Sequence, residues 1–204
     1  MNTIQPLEYD TYYHIYNRGN NRENIFREEE NYPYFMKLYD EYITPVAETI
    51  AWCLMKNHFH MLIHLFPEEE IGYIIQKEGD KRTFTCPKKY NPSRQFANLF
   101  NAYAKAFNKR YKRTGCLFET PFRRIKVRDE HHLKELVRYI HYNPVKHGFV
   151  NLIGDYKWSS YSDFISQDAS GCIGKNVVKI FGSIEELVIF HNKKHSDTNM
   201  ENYT

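Results

Sequence analysis

The stretch from Ala51 to Leu65 limits what this chain can fold into more than any other, because apolar side chains alternate along it. Ala51, Cys53, Met55, Phe59, Met61, Ile63 and Leu65 form one set, broken only by Asn57, while Trp52, Lys56, His58, His60 and His64 fall in the other. Successive side chains of a strand point to opposite faces. The period of two therefore predicts a central β-strand over 52–63, with Phe59 in the core and His58 and His60 projecting together. Two residues of strand separate their Cα atoms by roughly 6.7 Å. Imidazoles so spaced can converge on one metal ion, although two half-exposed histidines give the same pattern.

A chain of 204 residues with 42% hydrophobic and 26% charged residues suits one domain with a real core. No apolar run approaches a membrane span and the N-terminus lacks a signal-peptide pattern, which makes the cytoplasm the expected compartment. Cys53, Cys86, Cys116 and Cys172 form no C-x-x-C pair, against a zinc ribbon or a disulfide framework. A formal charge of +3 is only modestly basic. The 16% aromatic content suits stacking on unpaired bases and suits a core equally well.

Residues 11–17 are β-branched and aromatic, predicting a strand that ends at Arg18-Gly19-Asn20-Asn21, residues able to take positive φ. That turn is either a plain reversal or a DNA contact by Arg18. A helix begins near Asn31, carries Phe35, Leu38, Tyr39 and Tyr42 on one face, and closes before Pro45. Residues 67–92 lack sustained periodicity and read as an insertion or mobile loop, in which Lys77, Lys81, Arg82, Lys88 and Lys89 are either phosphate contacts or a solvated face. Ser93 caps a long helix to about Arg113, whose apolar stripe holds Tyr103 as a core aromatic. Phe122–Val127 alternates as a further strand, with Arg124 and Lys126 on one face and Arg123 on the other.

The helix over 129–143 buries Leu133, Leu136, Val137 and Ile140. At about 100° per residue, Tyr139, Asn143 and His132 share one edge of that face. Pro144 disfavours α geometry at Asn143 and sets the helix end there. Beyond Gly148 come Trp158-Ser159-Ser160-Tyr161, read chiefly as core packing, and a last short helix over 183–195. The final nine residues read as frayed. The order of elements gives an α+β domain, an antiparallel sheet with helices packed on one face.

Three blocks in this order, Tyr13–Asn21, His58-Phe59-His60 and Tyr139–Gly148, resemble the HUH single-tyrosine transposases of the insertion-sequence type, especially the REP-associated branch. The resemblance is scattered over about residues 9–162 and implies a ferredoxin-like core. It implies a catalytic domain over 1–165 with residues 166–204 packed on it as an extension. It also implies that Tyr139 attacks a DNA phosphodiester and keeps a 5′-phosphotyrosine link. His58, His60 and Asn143 would hold a divalent metal, Mn²⁺ or Mg²⁺. Single-stranded DNA with a hairpin is the implied partner, with Arg18, Arg123, Arg124 and Lys126 as candidate contacts. The protein would act as a monomer or homodimer. Tyr142 is the rival nucleophile. Two other readings stay open: a hairpin-binding protein that does not cut, and a zinc hydrolase, though H-E-x-x-H is absent.

Overall fold

The computed structural model describes residues 6–71, 74–78, 81–85, 90–165 and 179–193, the two short segments 74–78 and 81–85 as backbone alone. Strand β1 (Thr11–Arg18) leads through a 3₁₀ turn to helix α1 (Asn31–Ile43), and β2 (Ala47–Met55) and β3 (His58–Leu65) follow. Strands β4 (Ile74–Glu78) and β5 (Lys81–Thr85) pair antiparallel with each other, so the segment read as a loop contains a β-ribbon. The side chains of Lys77, Lys81, Arg82, Lys88 and Lys89, and the tail 196–204, lie outside the described residues. Helix α2 (Pro92–Arg110), strand β6 (Arg123–Lys126), helix α3 (Glu130–Lys146) and the short helices α4 (Tyr161–Ile165) and α5 (Ile184–Asn192) complete the chain.

The main sheet has the order β2-β3-β1-β6, antiparallel throughout. With α1 between β1 and β2 and α2 between β3 and β6, it forms a ferredoxin-like βαββαβ unit. Both of those helices lie on one face of the sheet. Phe35, Leu38 and Tyr39 of α1 and Phe96, Leu99 and Tyr103 of α2 pack there with Ile15, Phe59, Met61 and Ile63. Each fully buried side chain of that size contributes about 1.5–3 kcal/mol. Tyr103 is such a core residue, its hydroxyl donating to the Ile25 carbonyl at 2.6 Å. Helix α3 covers the opposite face, its Leu136, Val137, Tyr139 and Ile140 packed with Ala51, Cys53, Met55 and Leu62, and Phe181 and Leu187 join the same cluster. Helices thus cover both faces of the antiparallel sheet.

The region read as one strand is a hairpin. Lys56 and Asn57 form a two-residue turn, which pairs Met55 with His58 and Cys53 with His60. Its carbonyls are held by backbone donors: Ile25 and Phe26 both donate to Lys56, and Gly19 donates to Asn57. A two-residue turn reverses the parity of the alternation, so Met55 and Cys53 share the histidine face while Phe59 points away from it. Gly19 is needed for a close approach, since a Cβ there would stand 2.1 Å from the Glu23 carbonyl oxygen. Asn21, at φ 54°, takes the left-handed conformation instead.

Two ends differ from expectation. Asn91, not Ser93, caps α2 by accepting from the Arg94 amide, and Pro92 takes the first-turn position where a missing N–H costs nothing. Helix α3 runs through Pro144 to Lys146, adding almost a turn, and stops where Gly148 adopts φ 70°. Asp129 caps its start through the His132 amide at 2.8 Å. Trp158–Ser160 lies along the outer edge of β2, with Leu54 donating to Trp158 and Ser160 donating to Trp52. Trp158 stacks on Tyr32 at 4.4 Å, in line with the packing role read for it.

Candidate functional site

A pocket of about 460 Å³ opens where β1, β3, the approach to β6 and the end of α3 meet. Tyr16, Asn17, Arg18, His58, His60, Glu119, Arg123, Tyr139, Lys146 and His147 line it. Residues i and i+2 of a strand share a face, so β1 presents His14 and Tyr16 beside the His58 and His60 of β3. Across the sheet Tyr16 is paired with His60 on one side and Arg123 on the other. The structure therefore brings Arg18, His58, His60, Arg123 and Tyr139 together, as the sequence suggested.

Three nominated residues stand elsewhere. Arg124 points to the other face, where it lies over the Phe122 ring at 4.1 Å and donates to the Ser93 hydroxyl. Lys126 pairs with Glu8 at 2.5 Å. Both follow from the alternation of β6, which sends Arg123 alone into the pocket. Asn143 is buried one turn from Tyr139 and is not among the residues that line the pocket. Tyr142 turns away, its ring facing the Arg138 guanidinium at 5.3 Å.

The two histidines of β3 are perpendicular, with ring centroids 5.2 Å apart. Asn57 Oδ1 lies 2.7 Å from His58 Nδ1 and can only accept there, so that nitrogen carries the proton and Nε2 keeps a lone pair. His60 is 2% exposed, with Nδ1 2.9 Å from His14 Nε2, and its own Nε2 has no hydrogen-bond partner. Burial, aided by His147 and Arg18, lowers the His58 pKa to about 3, and burial first, then the neighbouring His14, His58, His147 and Lys146, holds His60 well below its ordinary value. Both imidazoles are consequently neutral at pH 7, the state that ligates metal.

Tyr139 sets its ring edge-on to His60 at 5.5 Å and to His14 at 6.0 Å. Burial pushes its pKa up to about 12, opposed by a hydrogen bond from the Asn143 side chain. The Asn143 amide nitrogen also donates to the Tyr139 backbone carbonyl at 2.9 Å, which leaves Asn143 Oδ1 buried without a partner. Lys146 brings its ammonium to 5.6 Å from the Tyr139 ring. Lys146 and His147 were not singled out from the sequence, because Pro144 had been read as the helix end. Lys146 is seven residues from Tyr139, two turns along the same face. Tyr16 and Glu119 were also missed. Tyr16 did carry a signal, since it alternates in phase with His14 on one strand.

Comparison with known proteins fits this geometry. A family described as IS200-like transposase matches residues 8–143, two thirds of the chain. The chain belongs to the IS200-like transposases. Within that family it is 33% identical over 119 residues to a Haemophilus influenzae protein whose curated description is that of a REP-associated tyrosine transposase. The match takes in 56% of this chain and 58% of that relative, so it spans somewhat over half the relative's length. A solved structure of a REP-associated tyrosine transposase bound to a REP hairpin superposes with a TM-score of 0.54 at 17% identity, over 84% of this chain and 88% of that one. At that identity the likeness is one of fold, and it agrees with an IS200-like chain built on a four-stranded antiparallel sheet. Among the described residues, no helix is long and apolar enough to cross a membrane.

Proposed function

We propose that this protein cleaves and rejoins single-stranded DNA beside a hairpin, through a covalent link between Tyr139 and a 5′-phosphate. The observation that carries this reading is the convergence of the Tyr139 phenol and the open nitrogen of His60 on one pocket ringed by Arg18, Arg123 and Lys146. In the step, the Tyr139 oxygen forms a bond to phosphorus, the bond from phosphorus to the 3′-oxygen breaks, and that oxygen leaves as a 3′-hydroxyl with a proton. One phosphodiester replaces another, so a later attack by a 3′-hydroxyl reverses the exchange without a nucleotide cofactor.

A phenol with a pKa of about 12 is roughly one part in 10⁵ ionised at pH 7. The Asn143 hydrogen bond and the Lys146 ammonium both favour the phenolate, and Arg18 and Arg123 are placed to hold phosphate oxygens. The residues fit a divalent ion. His58 and His60 offer imidazole nitrogens, the latter unpartnered, and Asn143 Oδ1 is a buried acceptor with nothing to accept from. Mn²⁺ suits two imidazoles and an amide better than Mg²⁺, by the general affinity order. When bound, such an ion supplies positive charge to the non-bridging phosphate oxygens. Exposed bases can stack on Tyr16 as they do on other aromatic platforms.

The test is a hairpin-bearing single strand labelled 3′ to the cut, incubated with protein and Mn²⁺. Wild type should give a labelled protein band that survives boiling in denaturant, and mass spectrometry should place the nucleotide on the Tyr139 peptide. Tyr139→Phe should bind the strand within about twofold and form no adduct, because removing one oxygen leaves the ring packing intact. An adduct with Tyr139→Phe that vanishes with Tyr142→Phe would move the nucleophile to Tyr142. Tight binding with no adduct from wild type would favour a protein that binds hairpins without cutting.

A further inference from the structure

His14 is wholly buried in the middle of β1 and has no part in the chemistry set out above, yet its ring is held on every side. Tyr16 stacks on it at 4.9 Å and His60 at 5.0 Å, while Tyr139 meets it edge-on. Its Nε2 is 2.9 Å from His60 Nδ1, and its Nδ1 has no hydrogen-bond partner. Only one proton can occupy the line between the two rings, so two arrangements are possible. If His14 donates, His60 carries its proton on Nε2 and has no lone pair to offer the pocket. If His60 donates, its Nε2 is a free acceptor and His14 holds its proton on Nδ1. Each arrangement leaves one donor and one acceptor unmet, so hydrogen bonding within the protein does not choose between them. A cation at His60 Nε2 does choose, since only the second arrangement gives it a lone pair.

His58 has the same device in simpler form, because Asn57 Oδ1 accepts from its Nδ1 and fixes the tautomer. We infer that His14 is the positioning residue for His60, accepting its Nδ1 proton so that Nε2 faces the pocket as a metal ligand. This rests on the metal reading given under Proposed function. Outer partners of ligating histidines set ring orientation and basicity, and losing one typically lowers metal affinity 10–100-fold. His14→Phe keeps a flat ring of similar size and removes the acceptor. His14→Gln puts an amide oxygen near the position of Nε2 and restores one.

The experiment titrates Mn²⁺ into DNA-free protein by electron paramagnetic resonance, with circular dichroism as the check on folding. Wild type should bind, His14→Phe should bind about 10–100-fold more weakly, and His14→Gln should fall between them. Equal Mn²⁺ affinity in wild type and folded His14→Phe overturns the role of His14 and leaves the metal reading standing. If wild type itself binds no Mn²⁺, the metal reading fails and takes this inference with it. A second measurement does not depend on any variant folding. Long-range ¹H–¹⁵N correlation on Mg²⁺-loaded wild type should show the His60 proton on Nδ1, and a proton on Nε2 overturns the assignment.

Discussion

Among the described residues, two buried histidine pairs look alike and are wired differently. His14 and His60 meet at 2.9 Å beside the pocket; His141 and His191 meet at 3.0 Å behind α3. In the second pair every ring nitrogen is committed. His191 Nδ1 must donate to the Leu187 carbonyl at 2.9 Å, so its Nε2 accepts from His141 Nδ1. His141 Nε2 then accepts from the Ser160 hydroxyl at 2.9 Å, and Ser160 accepts in turn from the Trp52 amide. One proton arrangement satisfies the whole chain. The first pair leaves His14 Nδ1 and His60 Nε2 unmet. Buried polar groups are normally paired, so a complete network marks structure and an incomplete one at a pocket marks a place for something to bind.

The largest expected effect separates the two pairs by activity. His60→Asn keeps a polar atom near the Nδ1 position and deletes Nε2, so cleavage should fall by more than the roughly 100-fold that losing an outer partner can cost. Its melting temperature should stay within about 4 °C of wild type, equivalent to about 1 kcal/mol. A drop much larger than that in differential scanning calorimetry would show that the pocket pair is structural after all.

The converse substitution is His141→Phe, which strands His191 Nε2 and leaves the Ser160 hydroxyl only its two bonds to the Trp52 backbone. Leaving one buried group unpaired costs about 1–3 kcal/mol, so chemical denaturation should show a loss of about 1–3 kcal/mol. Adduct formation well below the transition should remain near the wild-type level. Unchanged stability would remove the distinction drawn here.

The smallest effect is on pH dependence. Burial, with His191 adding to it, keeps the His141 pKa well below 6.5. The folded state then binds fewer protons than the unfolded state, so stability is full above pH 6.5 and declines as pH falls below it. One such group contributes a slope of up to about 1.4 kcal/mol per pH unit. Urea denaturation at pH 7 and pH 5 should show a shallower decline in His141→Phe than in wild type. Equal slopes would mean that His141 is protonated in the fold.

His58, His60 and Tyr139 were legible because spacing alone puts the first two on one strand face, and the block around Tyr139 resembled known transposases. The hairpin at Lys56-Asn57 was not. Helices cover both faces of the sheet, so β2 and β3 carry apolar residues on both sides, and no polar face reveals that parity flips at the turn. Asn91 and Pro92 carry a cap signal as good as that of Ser93, and position alone did not separate them. Lys146 and His147 were hidden by the rule that proline ends helices; Pro144 forfeits one N–H, yet the helix continues past it to Lys146. His14 lies within the Tyr13–Asn21 block, but nothing in a sequence distinguishes a satisfied buried imidazole from one left with open atoms.

The family match ends at Asn143, yet the chain of bonds gripping the back of α3 finishes at Ser160 and His191. Recognisable sequence and mechanical unit therefore have different borders. Anyone trimming this chain to its recognisable part, for a minimal DNA-tagging module for instance, would discard the anchor of the helix that carries Tyr139, the proposed nucleophile. The useful cut lies beyond Asn192, where α5 closes.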